Sequence, residues 1–73
     1  MTLLVFRLDH SHIALYQLLK LTGVCDSGGQ AKQCIANGEV LVDGETEYRK
    51  ACKIHAGQIV QFRNTEIRVN GLD

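Results

Sequence analysis

The chain reads as an α+β domain in which a helix-turn-helix hairpin packs against a small, mostly antiparallel β-sheet. Three observations carry that reading. Between about residues 11 and 37 the apolar side chains recur at helical spacing in two short runs. After Gly38 the period changes to two, with Asp-Gly and Asn-Thr punctuation between runs. The third is size: 73 residues with 45% apolar side chains suit a single domain spanning residues 1–73. At that length folding buries only roughly 60% of the unfolded chain's surface, so an enclosed pocket for a large cofactor is not expected.

Taken in order, Thr2-Leu3-Leu4-Val5-Phe6-Arg7-Leu8 is a short strand or extended arm that ends at the polar Asp9-His10-Ser11-His12. From about Ser11 to Thr22, Leu15, Leu18, Leu19 and Thr22 fall at i, i+3, i+4 and i+7, with Ser11 placed to cap the first turn and Gly23 to close the last. Ser27-Gly28-Gly29-Gln30 is a capping box: the Ser27 hydroxyl accepts from the Gln30 amide while the Gln30 side chain returns to Ser27. A second helix over roughly 28–37 follows, with Ala31, Cys34 and Ile35 on its apolar face and Gly38 as the left-handed residue that ends it. Only Val24-Cys25-Asp26 separates the two, so the Leu18/Leu19 and Ala31/Ile35 faces must meet. Val40 and Val42 then alternate along a strand, Asp43-Gly44 reverses it, and Thr46 and Tyr48 belong to the return strand. Residues 58–62 and 66–69 complete a meander, with Phe62 in the core. Packing at Leu19, Ile35 and Val42 should dominate stability.

Composition excludes several classes. No apolar run approaches the roughly 20 residues that span a bilayer, and Met1 to Arg7 lacks the features of a leader, so a cytoplasmic protein without a membrane is expected. Cys25, Cys34 and Cys52 are too few and too dispersed for a disulfide framework or a Cys-x-x-Cys metal site; His10 and His12 make at best a weak surface pair. No metal or other cofactor is expected. Cys34 reads as a small buried hydrophobe, whereas Cys25, in a turn, and Cys52, after a basic pair, could be exposed and reactive. No nucleophile stands beside a base in any recognisable signature, so no enzyme is expected.

Eight basic and eight acidic side chains give a net charge of zero, but they are segregated. Ala36 to Glu47 holds Glu39, Asp43, Glu45 and Glu47 and no Lys or Arg; Tyr48 to Thr65 holds Arg49, Lys50, Lys53 and Arg63 and no acid. Three cations within Tyr48-Arg49-Lys50-Ala51-Cys52-Lys53 repel one another unless a polyanion neutralises them, and phosphate backbones are the commonest such partner. The same residues could instead blunt a strand edge or pair with Glu45 and Glu47. Gly28 and Gly29 open a helix whose free amides could face a phosphate, with Lys32 one turn on, although no Walker lysine is present. Arg7, Arg63 and Arg68 read as solubilising charges and Lys20 as a helix-face residue. Tyr48 suits either cross-strand packing or a ribose contact. Two other function classes stay open: a protein interaction adaptor that docks a basic partner on the acidic hairpin Glu39 to Glu47, and a metal or redox sensor built on Cys25, Cys52 and a His.

Ser27-Gly28-Gly29-Gln30-Ala31-Lys32, followed by Ile35-Ala36-Asn37-Gly38-Glu39-Val40-Leu41-Val42-Asp43-Gly44-Glu45, resembles the alpha-L RNA-binding motif of the S-four-like family. With Leu18-Leu19-Lys20-Leu21-Thr22-Gly23 upstream and Arg49-Lys50-Ala51-Cys52-Lys53-Ile54-His55-Ala56-Gly57-Gln58 downstream, it resembles more narrowly the stand-alone bacterial YbcJ-like group. The resemblance covers about residues 13–69. Its elements are a Ser-x-x-x-Ala helix, a Gly-x-Val-x-Val-x-Gly hairpin and a Lys-Ile-x-x-Gly-Gln strand entry. It implies that the two helices and the adjoining hairpin form one face holding structured RNA, of the ribosomal or transfer RNA class, by its backbone. The implied RNA-binding positions are Lys32, Arg49, Lys50 and Lys53, with Ser27, Gly28 and Gly29 at the motif's opening and Gly38 and Gly44 holding its turns. Many members carry Arg directly after the motif serine; here that position is Gly28, as in the YbcJ-like group. A monomer with a ribosome or RNA-processing protein as partner is expected.

Overall fold

Residues 1–71 are described by a computed structural model in which the elements run β1 (Thr2–Arg7), β2 (Ile13–Ala14), α1 (Leu15–Leu21), α2 (Gly28–Ala36), β3 (Val40–Val42), β4 (Glu45–Thr46), β5 (Lys53–Ile54), β6 (Ile59–Phe62) and β7 (Thr65–Asn70). Five strands form a sheet in the order β1-β7-β6-β3-β4, and β2 pairs with β5 apart from it. All neighbours in the larger sheet are antiparallel except β1, which runs parallel to β7 from Thr2↔Thr65 to Arg7↔Asn70. The opening segment is thus an edge strand and not a free arm. No helix among the described residues is long and apolar enough to cross a membrane.

The two periodicities meet in one core. α1 buries Leu15, Leu18 and Leu19, α2 buries Ala31, Cys34 and Ile35, and the sheet supplies Val40, Val60, Phe62, Ile67 and Val69. Each fully buried aliphatic side chain contributes about 1.5–3 kcal/mol relative to exposure. Val42, expected among the core residues, is only half-buried on β3.

At the end of α2 the Gly38 amide donates to the Ile35 carbonyl (3.0 Å) and the Glu39 amide to that of Cys34 (3.1 Å), the paired bonds of a Schellman cap. Gly38 has φ +78°, and a Cβ there would stand 3.2 Å from the Tyr48 ring. Glycine is therefore required twice, for conformation and for room. Tyr48 packs on Gly38 and does not continue the hairpin: β4 holds only Glu45 and Thr46.

The entry to α1 also differs from expectation. Ser11 does not cap it; its Oγ lies 2.9 Å from His12 Nδ1. Ile13 and Ala14 are drawn into extended pairing with Ile54 and Lys53, which delays the helix to Leu15. Its first amides are satisfied by the chain opposite: Leu15 N–H donates to the Cys52 carbonyl (2.9 Å) and Tyr16 N–H to that of Lys50 (3.1 Å). At α2 the Ser27 Oγ accepts from the Gln30 amide (3.1 Å), as expected, but the Gln30 side chain accepts from Asp26 N–H (2.6 Å), one residue earlier than the capping box places it.

Candidate nucleic-acid interface

Tyr16 organises the basic residues. Its backbone amide ties the 49–53 segment to the start of α1 through the Lys50 carbonyl. Its ring rests over Gly28, where a Cβ would lie 3.7 Å away, and carries the Lys32 ammonium 4.6 Å from its centroid. That cation–π contact orients a charge that is otherwise in solvent, at about 0.5–1 kcal/mol. Gly28 and Lys32 of α2 and Lys50, distant from them in sequence, are thereby gathered at one end of α1. Lys53 reaches the same end because β5 pairs with β2 immediately before the helix. Ser27 caps α2 beside them, and Gly28 and Gly29 form its first turn, where amides have no acceptor within the helix.

Among the described residues, three of the four arginines are paired with carboxylates, Arg7 being the exception, and none of the four lysines is. Arg49, Arg63 and Arg68 pair with Glu47 (3.0 Å), Glu39 (3.1 Å) and Glu66 (2.9 Å). Among the described residues, Lys20, Lys32, Lys50 and Lys53 are all exposed and have no carboxylate within 4.0 Å. Lysine is the flexible point charge suited to phosphate, and these four are uncommitted. Arg49, grouped with them on sequence, is held by both Glu47 oxygens, at 3.0 and 3.2 Å. The pairing with Glu47 that the sequence left open as an alternative is realised for this one cation.

Glu47 is 18% exposed at its side chain. The Arg49 guanidinium and then the Arg49 backbone amide, which donates to it at 2.9 Å, hold its carboxyl down at about 2. Asp43 is also held below the usual carboxylate range, first by the Gln58 side-chain amide (3.0 Å) and then by Ile59 N–H (3.0 Å). A carboxyl whose folded pKa is depressed stabilises the fold above its unfolded value and loses that contribution as pH falls toward the folded one. The melting temperature should therefore fall as pH drops from about 4.5 toward 2, and Glu47→Gln should flatten that part of the profile in thermal melts; an unchanged profile would reject the assignment.

The acidic hairpin is mostly engaged internally: Glu39, Asp43 and Glu47 have the partners just given, and Glu45 alone of the four makes no ion pair or side-chain hydrogen bond among the described residues. Arginines neutralise Glu39 and Glu47, whereas Asp43, bonded to uncharged groups, and Glu45 keep their charges at the surface. Cys25, expected in an exposed turn, is 3% exposed, and burial above all pushes its thiol up to about 11. The Cys52 thiol is half-buried 3.6 Å from Glu47 Oε1, and burial, then the Glu47 charge, raises it. Both are poor thiolates. Cys34 and Phe62 are buried as expected. Among the described residues no three His, Cys, Asp or Glu side chains gather to hold a metal ion.

A family model described as S4 domain matches residues 6–70. YbcJ of Escherichia coli (strain K12) is 53% identical over 60 residues, covering 82% of this chain and 86% of that protein. The Bacillus subtilis (strain 168) protein named "Probable ribosome maturation protein RlbA" is 41% identical over 55 residues, covering 75% and 78%. The solution structure of Escherichia coli YbcJ, described as revealing an alpha-L motif involved in RNA-binding, superposes with a TM-score of 0.72 at 51% identity over 90% of this chain and 85% of that one.

Proposed function

The chain belongs to the S4 domain family, and from that premise we propose that it is a non-catalytic RNA-binding module that holds structured RNA by its phosphates. The observation that carries this reading is the gathering of Lys32, Lys50 and Lys53, uncommitted to any carboxylate among the described residues, at the N-terminal end of α1. Ammonium groups so placed release counterions on meeting a phosphate backbone, which yields salt-sensitive binding that is mostly blind to sequence. A double-stranded or hairpin RNA suits the face better than a single strand. Single-strand binding relies on exposed aromatics, and of the four in the chain Phe62 is buried, Phe6 and Tyr16 are half-buried and only Tyr48 is exposed. The description of YbcJ as involved in RNA-binding supports an RNA ligand, and the name of RlbA, a probable ribosome maturation protein, favours the ribosomal class within the ribosomal or transfer RNA reading, with the ribosome as the partner.

The test is a titration of isotope-labelled protein with a short hairpin RNA at two salt concentrations. The backbone amides of Lys32 and of residues 50–53 should shift. Three phosphate contacts should give a log-log salt slope of about −2 to −3. Absence of any shift at low salt would overturn the proposal.

A further inference from the structure

A cleft of about 440 Å³ opens between the end of β1, the junction of β2 with α1, and β5. That is within the roughly 300–1,000 Å³ of small-ligand sites. Its wall includes Phe6 and Leu21, and Lys20 and Lys53 stand along it. Leu21 is 63% exposed, whereas the other three leucines of α1 are fully buried, so its side chain serves the cleft and not the core. The only acid on the lining, Asp9, lies 3.5 Å from His10, and neither lysine has a carboxylate within 4.0 Å among the described residues. The cleft therefore pairs an apolar wall with surplus positive charge.

It is also continuous with the face assigned above. Lys53 belongs to both. Lys20 lies one helical turn after Tyr16, on the same side of α1 as the ring that carries Lys32. An A-form stem is too wide to enter a cleft of this size, but one nucleotide beyond the stem's end is not. We propose that the cleft receives a single unpaired nucleotide flanking the duplex, its base against Phe6 and Leu21 and its phosphate between Lys20 and Lys53. This rests on the RNA-binding reading and adds to it a preference for a stem that ends in an overhang.

The experiment compares one hairpin RNA in three forms at fixed low salt: blunt, with a one-nucleotide overhang at its 3′ or 5′ end, and with that overhang abasic. The wild-type chain should bind the better overhang about tenfold tighter than the blunt stem, and the abasic form should lose most of the gain. In Lys20→Ala and in Leu21→Ser the ratio of overhang to blunt affinity should fall to about one. Equal wild-type affinity for blunt and overhang forms, or a ratio kept by both variants, would overturn the cleft assignment while leaving the module reading intact. Failure of every form to bind would overturn the module reading and this one together.

Discussion

Leu19→Ala should cost about 2–5 kcal/mol, a large part of the margin that holds the fold, and lower the unfolding midpoint sharply. Leu19 is completely buried in α1, and the core it enters contains residues of both helices and of the sheet. Removing its isopropyl group withdraws contacts from all of these at once, and the backbone around it cannot collapse freely. The Leu19 carbonyl accepts the Cys25 amide (3.1 Å) in the turn to α2, and the first two amides of α1 are bonded to the 49–53 segment. Against this, a domain of this length has a total stability of about 4–11 kcal/mol. Val42→Ala is the matched comparison. Sequence places Val42 in the same core, yet it is half-buried on β3, and its truncation should cost only about 1 kcal/mol. Urea denaturation of the two variants measures the difference. A Leu19→Ala midpoint no lower than that of Val42→Ala would mean that the core does not pack as described.

How much of this was legible beforehand follows from the range of each interaction. The two helices, the Asp43-Gly44 reversal and the Gly38 cap are written in contiguous residues whose spacing or φ preference is local, and they were readable. Ile13-Ala14 and Lys53-Ile54 were not, because two-residue strands carry no period, and their pairing delays α1 and displaces Ser11 from its cap. The same blindness affects the site. Lys32 and Lys50 were identifiable as cations, but their meeting depends on Tyr16, whose ring and backbone act on partners 16 and 34 positions downstream. Composition counts Arg49 and Lys50 alike. Only geometry shows that one is clamped by Glu47 and the other is not.

That distinction separates the cations by their effect on RNA. Neutralising Lys32, Lys50 or Lys53 to Gln should each reduce the magnitude of the salt slope by about 0.7–0.9, the value of one phosphate contact. Arg49→Gln should change it little, because a guanidinium already bonded to both oxygens of Glu47 must give up those bonds before it can take a phosphate. At about 0.1 M salt, three lost contacts at 0.7–0.9 log units each remove about a hundredfold or more of affinity, and charge reversal of all three lysines to Glu should remove at least that much. The fold should tolerate these changes. The lysines are exposed and none has a carboxylate partner among the described residues, so the expected stability cost is confined to the Lys32 contact with Tyr16, about 0.5–1 kcal/mol. Binding measured by fluorescence anisotropy across a salt series, with a thermal melt of each variant, tests the set. Undiminished binding by the triple reversal would remove this face from the interface. A slope change for Arg49→Gln equal to that of Lys50→Gln would instead mean that the Glu47 clamp opens on RNA, turning Arg49 from a structural cation into a fourth phosphate contact.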